Sequence, residues 1–250
     1  MLDQDRVLDE FRRDGVVRLP SFLDSDEIDE LAANFARYIA EAVPTLPPSD
    51  AFYEVEGERR ALKQMQRITD HDAYFDELRS RPKYAELAEL VLETPVRSEG
   101  VEWFNKPAEF GRATPPHQDG FYFCLKPDEA LTIWIALDDV DEQNGCVRYA
   151  RGSHRAGIRP HGRSAVLGFS QTILDFGPSD KSREFIGVVR RGDALVHHSS
   201  TIHWADANRS NRLRRACGLV YYSQRAERDE ASFARYLESS RSQQQALGAV

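Results

Sequence analysis

Pro115-Pro116-His117-Gln118-Asp119-Gly120 is the one stretch of the chain in which a histidine is followed two residues later by a carboxylate. In extended backbone, residues i and i+2 point to the same side. His117 and Asp119 then project a nitrogen and an oxygen into one space, while Gln118 faces away. The two prolines suit the first residues of a strand better than its middle. Two donors on one short strand do not hold a metal by themselves, so a third has to come from elsewhere. The best candidate is His203, far downstream in Ser199-Ser200-Thr201-Ile202-His203-Trp204. Two histidines and one carboxylate on one face of a metal, with open positions opposite, describe a non-haem Fe(II) oxygenase site.

The rest of the chain has to bring these positions together. Its 250 residues, 41% of them hydrophobic, suffice for one sizeable core. A net charge of −8 argues against nucleic acid as a partner, which calls for a basic footprint. The three cysteines form no CxxC pair, which fits reduced thiols in a cytoplasm. No apolar run approaches the ~20 residues of a membrane span, and the N-terminal residues lack the pattern of a signal peptide. The expectation is a cytoplasmic protein with a small-molecule substrate and no membrane partner.

Helical periodicity marks residues 3–13, with Val7, Leu8 and Phe11 on one face and Gly15 as a stop signal. Val16-Val17-Arg18-Leu19 reads as a strand. Asp24 and Glu27 resemble a capping box ahead of Ile28, Leu31, Ala32, Phe35 and Ile39. The polar stretch from Ser49 to Arg67, with Glu54, Glu56, Glu58, Arg59, Arg60 and Lys63, reads as loop and irregular strand forming a rim over a site. Helical patterns return at Tyr74-Leu78 and Tyr84-Leu92, and Pro95 marks the change to β-rich sequence. Strands are predicted at Val101-Lys106, at the apolar run Ala130-Leu137, and at Arg214-Tyr222. Asn144-Gly145 is a strong two-residue hairpin signal, which would return Cys146-Tyr149 as the partner of the preceding strand. Asp229 to Leu247 reads as a polar, peripheral helix. Many short strands at such spacing indicate a sandwich or barrel. The division expected is a helical flank over 1–95, a β core over 96–223 and a terminal helix, all in one domain.

Three segments, PPHQDGFYF, ALTIWIALDDVDEQNGCVRYARGSH and GDALVHHSSTIHWADANRSNRLRRA, resemble the phytanoyl-CoA dioxygenase family in order and spacing, between Trp103 and Tyr222. The resemblance implies a mainly β fold, a double-stranded β-helix or jelly roll with flanking helices. It also implies Fe(II), 2-oxoglutarate and O₂ as cofactors, with His117, Asp119 and His203 as metal ligands. Oxidative decarboxylation to succinate and CO₂ would be coupled to hydroxylation of an unactivated C–H bond. Related halogenases carry a small residue where Asp119 stands, so the aspartate favours hydroxylation.

The far carboxylate of 2-oxoglutarate needs a cation within an apolar barrel, and arginine binds carboxylates bidentately. Arg209, Arg212, Arg214 and Arg215 all qualify by position. The resemblance favours Arg214, with Arg212 on the same face if the strand begins early. Where relatives often carry a hydroxyl residue two positions after the distal histidine, this chain has Ala205. Lys106, Gln118 and Trp134 fall where relatives line the cosubstrate pocket. One of His197 and His198 must face inward by strand alternation, and His198 is read as a supporting residue. His154 matches a hairpin-end motif, and His71 and His161 read as surface residues. Trp103, Phe121, Tyr122, Phe123 and Trp204 supply core and, where they face the metal, a substrate wall. The basic segment from Arg155 to Arg163 reads as a solvated loop that could also greet an anionic substrate. Two other functions suit the same residues: a jelly-roll binding module without turnover, and a cupin-like metalloenzyme that does not use 2-oxoglutarate.

Overall fold

A computed structural model describes residues 2–55, 57–166 and 169–246; Glu56 and Leu247, singled out above, lie outside these. The apolar run at 130 forms the strand Ala130–Ala136, every residue of which is buried. It lies inside a seven-stranded sheet. The strands run, edge to edge, Val16–Leu19, Ala194–His198, Ala130–Ala136, Arg214–Ser223, Val96–Lys106, Leu62–Met65 and Ala51–Tyr53. A four-stranded sheet, ordered Glu184–Gly187, Val147–Ala150, His203–Ala205 and Thr114–His117, packs against it. Neighbouring strands in both sheets are antiparallel. The fold is the mainly β double-stranded β-helix that the resemblance implies.

Alternation gives each sheet two different faces. On the outer face of the large sheet, Leu131, Ile133, Ile135, Cys217 and Leu219 pack against Val7, Phe11, Ile28, Leu31, Phe35, Leu87 and Val91. Those partners come from the helices Gln4–Asp14, Ser25–Glu41 and Pro82–Leu92. The Ser25–Glu41 helix begins in the predicted capping box: Asp24 accepts from the Glu27 backbone, and Glu27 accepts from the Asp24 N–H. Each large apolar side chain these helices bury contributes about 1.5–3 kcal/mol before the entropy of ordering is set against it. Between the sheets, Trp134, Ala136, Val147, Tyr149, Leu195 and Ala216 form a second cluster. The helices therefore brace the large sheet from outside and leave its inner face to the site.

Two expectations about the scaffold need correction. Asn144-Gly145 does not close a hairpin between neighbouring strands. Val147–Ala150 pairs with Glu184–Gly187 and His203–Ala205, in the sheet opposite Ala130–Ala136. The Asn144 amide is buried, donating to Asp139 O (2.8 Å) and accepting from Asp141 N (2.8 Å). Gly145 takes φ +83°, where a Cβ would meet Asp206 O at 2.6 Å. The tight-turn residues thus serve a crossover between sheets. The stretch after Ser49 is likewise more than rim, because Ala51–Tyr53 and Leu62–Met65 extend the large sheet. Among the described residues no helix is long and apolar enough to cross a membrane. All three cysteines are free thiols.

Candidate metal centre

His117 is the last residue of Thr114–His117 and pairs across the ladder with His203, the first residue of His203–Ala205. Their rings lie 4.1 Å apart between centroids. The strand does not continue to Asp119, as the sequence suggested. Gln118 remains extended (φ −128°, ψ 129°), and Asp119 opens the short helix Asp119–Phe123. One extended residue is enough for alternation to turn His117 and Asp119 to the same side. Asp119 Oδ1 lies 3.7 Å from His117 Nε2 and 3.5 Å from His203 Nε2. One donor atom from each of the three residues falls within 4.8 Å of the others.

The protonation states suit a cation. His117 Nδ1 donates to Pro115 O (2.8 Å) and His203 Nδ1 to Thr201 O (3.0 Å), so each Nε2 carries its lone pair toward the cluster. Burial lowers the pKa of His117 and pushes that of His203 down to about 3. For Asp119, burial opposes ionisation, but the His203 and His197 imidazoles outweigh it and hold the carboxyl well below its usual range. Two neutral imidazoles and a carboxylate are thus in place at neutral pH, with no proton to displace.

His197 is the residue that sequence reasoning missed. It points inward from Ala194–His198 and is buried. Its Nε2 donates to Asp119 Oδ2 (3.1 Å), and its Nδ1 accepts from Tyr149 OH (3.2 Å). Thr132 Oγ1 donates to the same Asp119 oxygen (3.1 Å). Both bonds occupy Oδ2 and leave Oδ1 turned to the two ligand-type histidines. His198, its neighbour, points outward against Phe11 and His154 and accepts from Ser200 N (3.0 Å). Strand alternation required one inward histidine but did not say which of the pair it was.

The cluster opens into a cavity of about 530 Å³ whose walls include Arg214, Lys106, Trp134, Thr114 and Ala205. Arg214 opens the strand Arg214–Ser223 and is 5% exposed, with its guanidinium 5.5 Å from the Trp134 ring centroid. Its Nε has no hydrogen-bond partner among the described residues, and burial pushes its pKa down to about 10. Lys106 stands opposite it in register, buried, with Nζ donating to Thr114 Oγ1 (3.1 Å) and to Arg112 O. Burial, reinforced by Arg214, lowers the Lys106 pKa well below its ordinary value. No carboxylate of the described residues pairs with either cation. Arg212 and Arg215 are committed elsewhere, to Asp141 and Asp138 at 2.6 Å each, and Arg209 is exposed.

Gln118, expected in the cosubstrate pocket, lies outside its walls. Alternation turns it away from His117, and it is 0% exposed. Its amide donates to Gly157 O (2.9 Å) and Ser200 O (2.6 Å) and accepts from Arg159 N (2.8 Å). It bolts the ligand-bearing turn to two loops. His161, read as a surface residue, is half-buried. It stacks on Phe121 (centroids 4.3 Å apart, planes at 20°) and accepts from the Gln118 backbone N–H (3.2 Å). Burial pushes its pKa down to about 4. Of the basic segment, Arg159 is paired with Asp175 and Asp180 (2.8 Å each) and Arg155 donates to Arg13 O. Neither lines the cavity. The C-terminal helix, Glu230–Ala246, is not peripheral: Phe233 and Tyr236 line the cavity, and Tyr236 meets Tyr122 edge-on at 5.5 Å.

Solved structures share this architecture. One is the α-ketoglutarate-dependent epimerase SnoN from nogalamycin biosynthesis, in complex with Fe³⁺, α-ketoglutarate and nogalamycin RO. It is 26% identical, with 89% of this chain and 84% of that chain covered and a TM-score of 0.73. Another is EvdO2 from Micromonospora carbonacea var. aurantiaca complexed with 2-oxoglutarate, 26% identical over 91% of this chain and 93% of that chain, TM-score 0.71. The class is therefore that of the iron- and 2-oxoglutarate-dependent oxygenases built on a double-stranded β-helix. Within it, a profile of the phytanoyl-CoA dioxygenase (PhyH) family matches residues 11–216, and the chain belongs to that family. Mouse phytanoyl-CoA dioxygenase domain-containing protein 1 is 31% identical over 151 residues, 58% of this chain and 52% of the relative. The match thus spans about half the length of that relative.

Proposed function

We propose that this protein is an Fe(II)- and 2-oxoglutarate-dependent dioxygenase that hydroxylates an unactivated C–H bond of a small metabolite, with release of succinate and CO₂. The observation that carries the reading is the pairing, in one cavity, of the His117–Asp119–His203 cluster with the buried, carboxylate-free Arg214. His117, Asp119 and His203 would hold the metal. Arg214, over Trp134 and opposite Lys106, would take the far carboxylate of 2-oxoglutarate, and Ala205 adds no hydroxyl to that contact. The donor set suits iron, being imidazole and carboxylate rather than thiolate. When bound, metal and cosubstrate supply the oxidising power that breaks the C–H bond. The protein contributes position and dryness. Tyr122, Phe123, Tyr222, Phe233 and Tyr236 form an apolar wall beside the cluster, and His197 and Thr132 keep Asp119 aligned. We also assign the chain, helices included, to one oxygenase domain.

The test is succinate formation that requires both Fe(II) and 2-oxoglutarate and is abolished in His117→Ala and Asp119→Ala. An anaerobic Fe(II)/2-oxoglutarate complex, screened against a metabolite panel by the shift of its charge-transfer band, would find the substrate. Turnover that needs metal but ignores 2-oxoglutarate would replace this reading with the cupin-like one. SnoN, an epimerase at 26% identity, makes stereochemical inversion the second reading. A product heavier by one oxygen atom favours hydroxylation, and an isomer of unchanged mass favours inversion.

A further inference from the structure

The inner face of the large sheet carries a carboxyl that the proposed chemistry does not use. Glu102 sits on Val96–Lys106 opposite Gly218, and Gln64, on the adjoining strand, stands opposite Phe104. Both line the same cavity as the metal cluster. Glu102 is half-buried and lines the cavity wall. No described cation pairs with it. The Gln64 carboxamide lies against the Glu102 carboxyl. Gln64 is 4% exposed, and its buried Oε1 has no hydrogen-bond partner among the described residues. A buried acceptor left unmatched is costly, on the order of 1–3 kcal/mol, and in a binding cavity it marks where a ligand donor belongs. Burial, with the charge of Asp119 adding to it, outweighs the Gln64 hydrogen bond and pushes the Glu102 pKa up to about 7.

The placement separates two jobs. Lys106 and Arg214 stand at the end of the inner face where their two strands pair Arg214 with Lys106. Glu102 lies four residues back along that strand, about 13 Å by strand rise, on the strand that Leu62–Met65 flanks. The aromatic wall of Tyr122, Phe123, Tyr222 and Phe233 borders the same cavity. Resting on the functional reading above, we infer that Glu102 and Gln64 form the substrate-reading station. The substrate would present a group with at least two donor hydrogens, a primary ammonium or a vicinal diol, on an apolar body that packs against the aromatic wall. Two adjacent acceptors complement such a group and repel a carboxylate.

The test uses the full chain with Fe(II) and 2-oxoglutarate under anaerobic conditions. Calorimetry would compare three probes on one carbon skeleton: cyclohexylmethylamine, cis-1,2-cyclohexanediol and cyclohexanecarboxylate. The amine or the diol should bind at least about tenfold tighter than the carboxylate, the scale of one charge-assisted hydrogen bond. Glu102→Gln should erase a preference for the amine but spare one for the diol, which tells the two donor groups apart. Gln64→Leu should weaken whichever probe is preferred, and reaches the station from a second strand should Glu102→Gln fold poorly. Binding that is strongest for the carboxylate, equal or undetectable for all three, or indifferent to both variants, would overturn the inference. The charge-transfer band reports on the functional reading separately. If it never forms while the Glu102-dependent preference holds, that reading falls and the station stands.

Discussion

Replacing Arg214 by methionine should weaken 2-oxoglutarate without weakening the fold. Arg214 is 5% exposed, and its pKa is pushed down to about 10 by burial, so the folded protein bears a cost for its charge. Methionine fills much of the same space and abolishes that cost. What it gives up is contact with the Trp134 ring, 5.5 Å away, an interaction of about 0.5–2 kcal/mol. The midpoint for thermal unfolding without cosubstrate should therefore hold or rise by a few degrees, at about 2–4 °C per kcal/mol for a chain of this size. Cosubstrate binding moves the other way. Removing one side of a buried charge pair costs about 2–5 kcal/mol, and the retained Lys106 places the loss near the low end. At about 1.4 kcal/mol per tenfold, the KM for 2-oxoglutarate should rise by about 30- to 300-fold. Succinate release against 2-oxoglutarate concentration measures this, and thermal scans with and without cosubstrate measure the rest. Arg212→Met is the control. Its pairing with Asp141 is at the surface, where such pairs contribute about 0–1 kcal/mol, and its KM should stay within about twofold. If Arg212→Met raises KM as much as Arg214→Met, or if Arg214→Met unfolds the cosubstrate-free protein, the assignment is wrong.

His197→Leu removes a donor to Asp119 Oδ2 and leaves Thr132 as its only side-chain partner there among the described residues. Metal affinity should fall about 10- to 100-fold, as for other residues that orient a ligand, read from Co(II) titration spectra; an unchanged titration removes His197 from the site. Gly120→Ala places a Cβ 2.6 Å from Asp128 Oδ1 and 2.8 Å from Ile158 Cδ1, directly after Asp119. It should loosen the turn and lower Co(II) affinity, and wild-type affinity would show that the turn yields freely. His161 and His198 are each pushed down to about 4 by burial, from an ordinary 6.5. Between those values the unfolded chain binds more protons, so stability falls as pH is lowered from about 6.5 toward about 4. Thermal midpoints of the metal-free protein across that window check this, and a midpoint that rises on acidification contradicts it.

Much of the scaffold is legible in the sequence because local physics decides it. The Asp24–Glu27 box and the stop at Gly15 are set by residues within one turn of the helix end. The nearly all-apolar Ala130–Ala136, with Thr132 its one polar residue, reads as a strand covered on both faces. His117, Asp119 and His203 are legible through alternation and through motif context. The rest depends on contacts far apart in sequence. Asn144-Gly145 has the right residues for a hairpin, but which sheet Val147–Ala150 joins is decided by its pairing with His203–Ala205. Gln118 faces outward by the same alternation that turns His117 inward, and its partners at Gly157 and Ser200 are invisible locally. His161 looks like a loop residue until Phe121 is seen stacked on it. The polar composition of Glu230–Ala246 hides Phe233 and Tyr236, two aromatics whose use only the cavity reveals.

That helix has an evolutionary and practical corollary. It supplies cavity wall yet, among the described residues, contributes neither a donor to the metal cluster nor a strand to either sheet. Exchanging the helix for a homologue's should therefore leave Co(II) binding by the cluster unchanged. Grafting residues 230–246 from a paralogue is thus a direct route to reprogramming which molecule is accepted while leaving the engine intact.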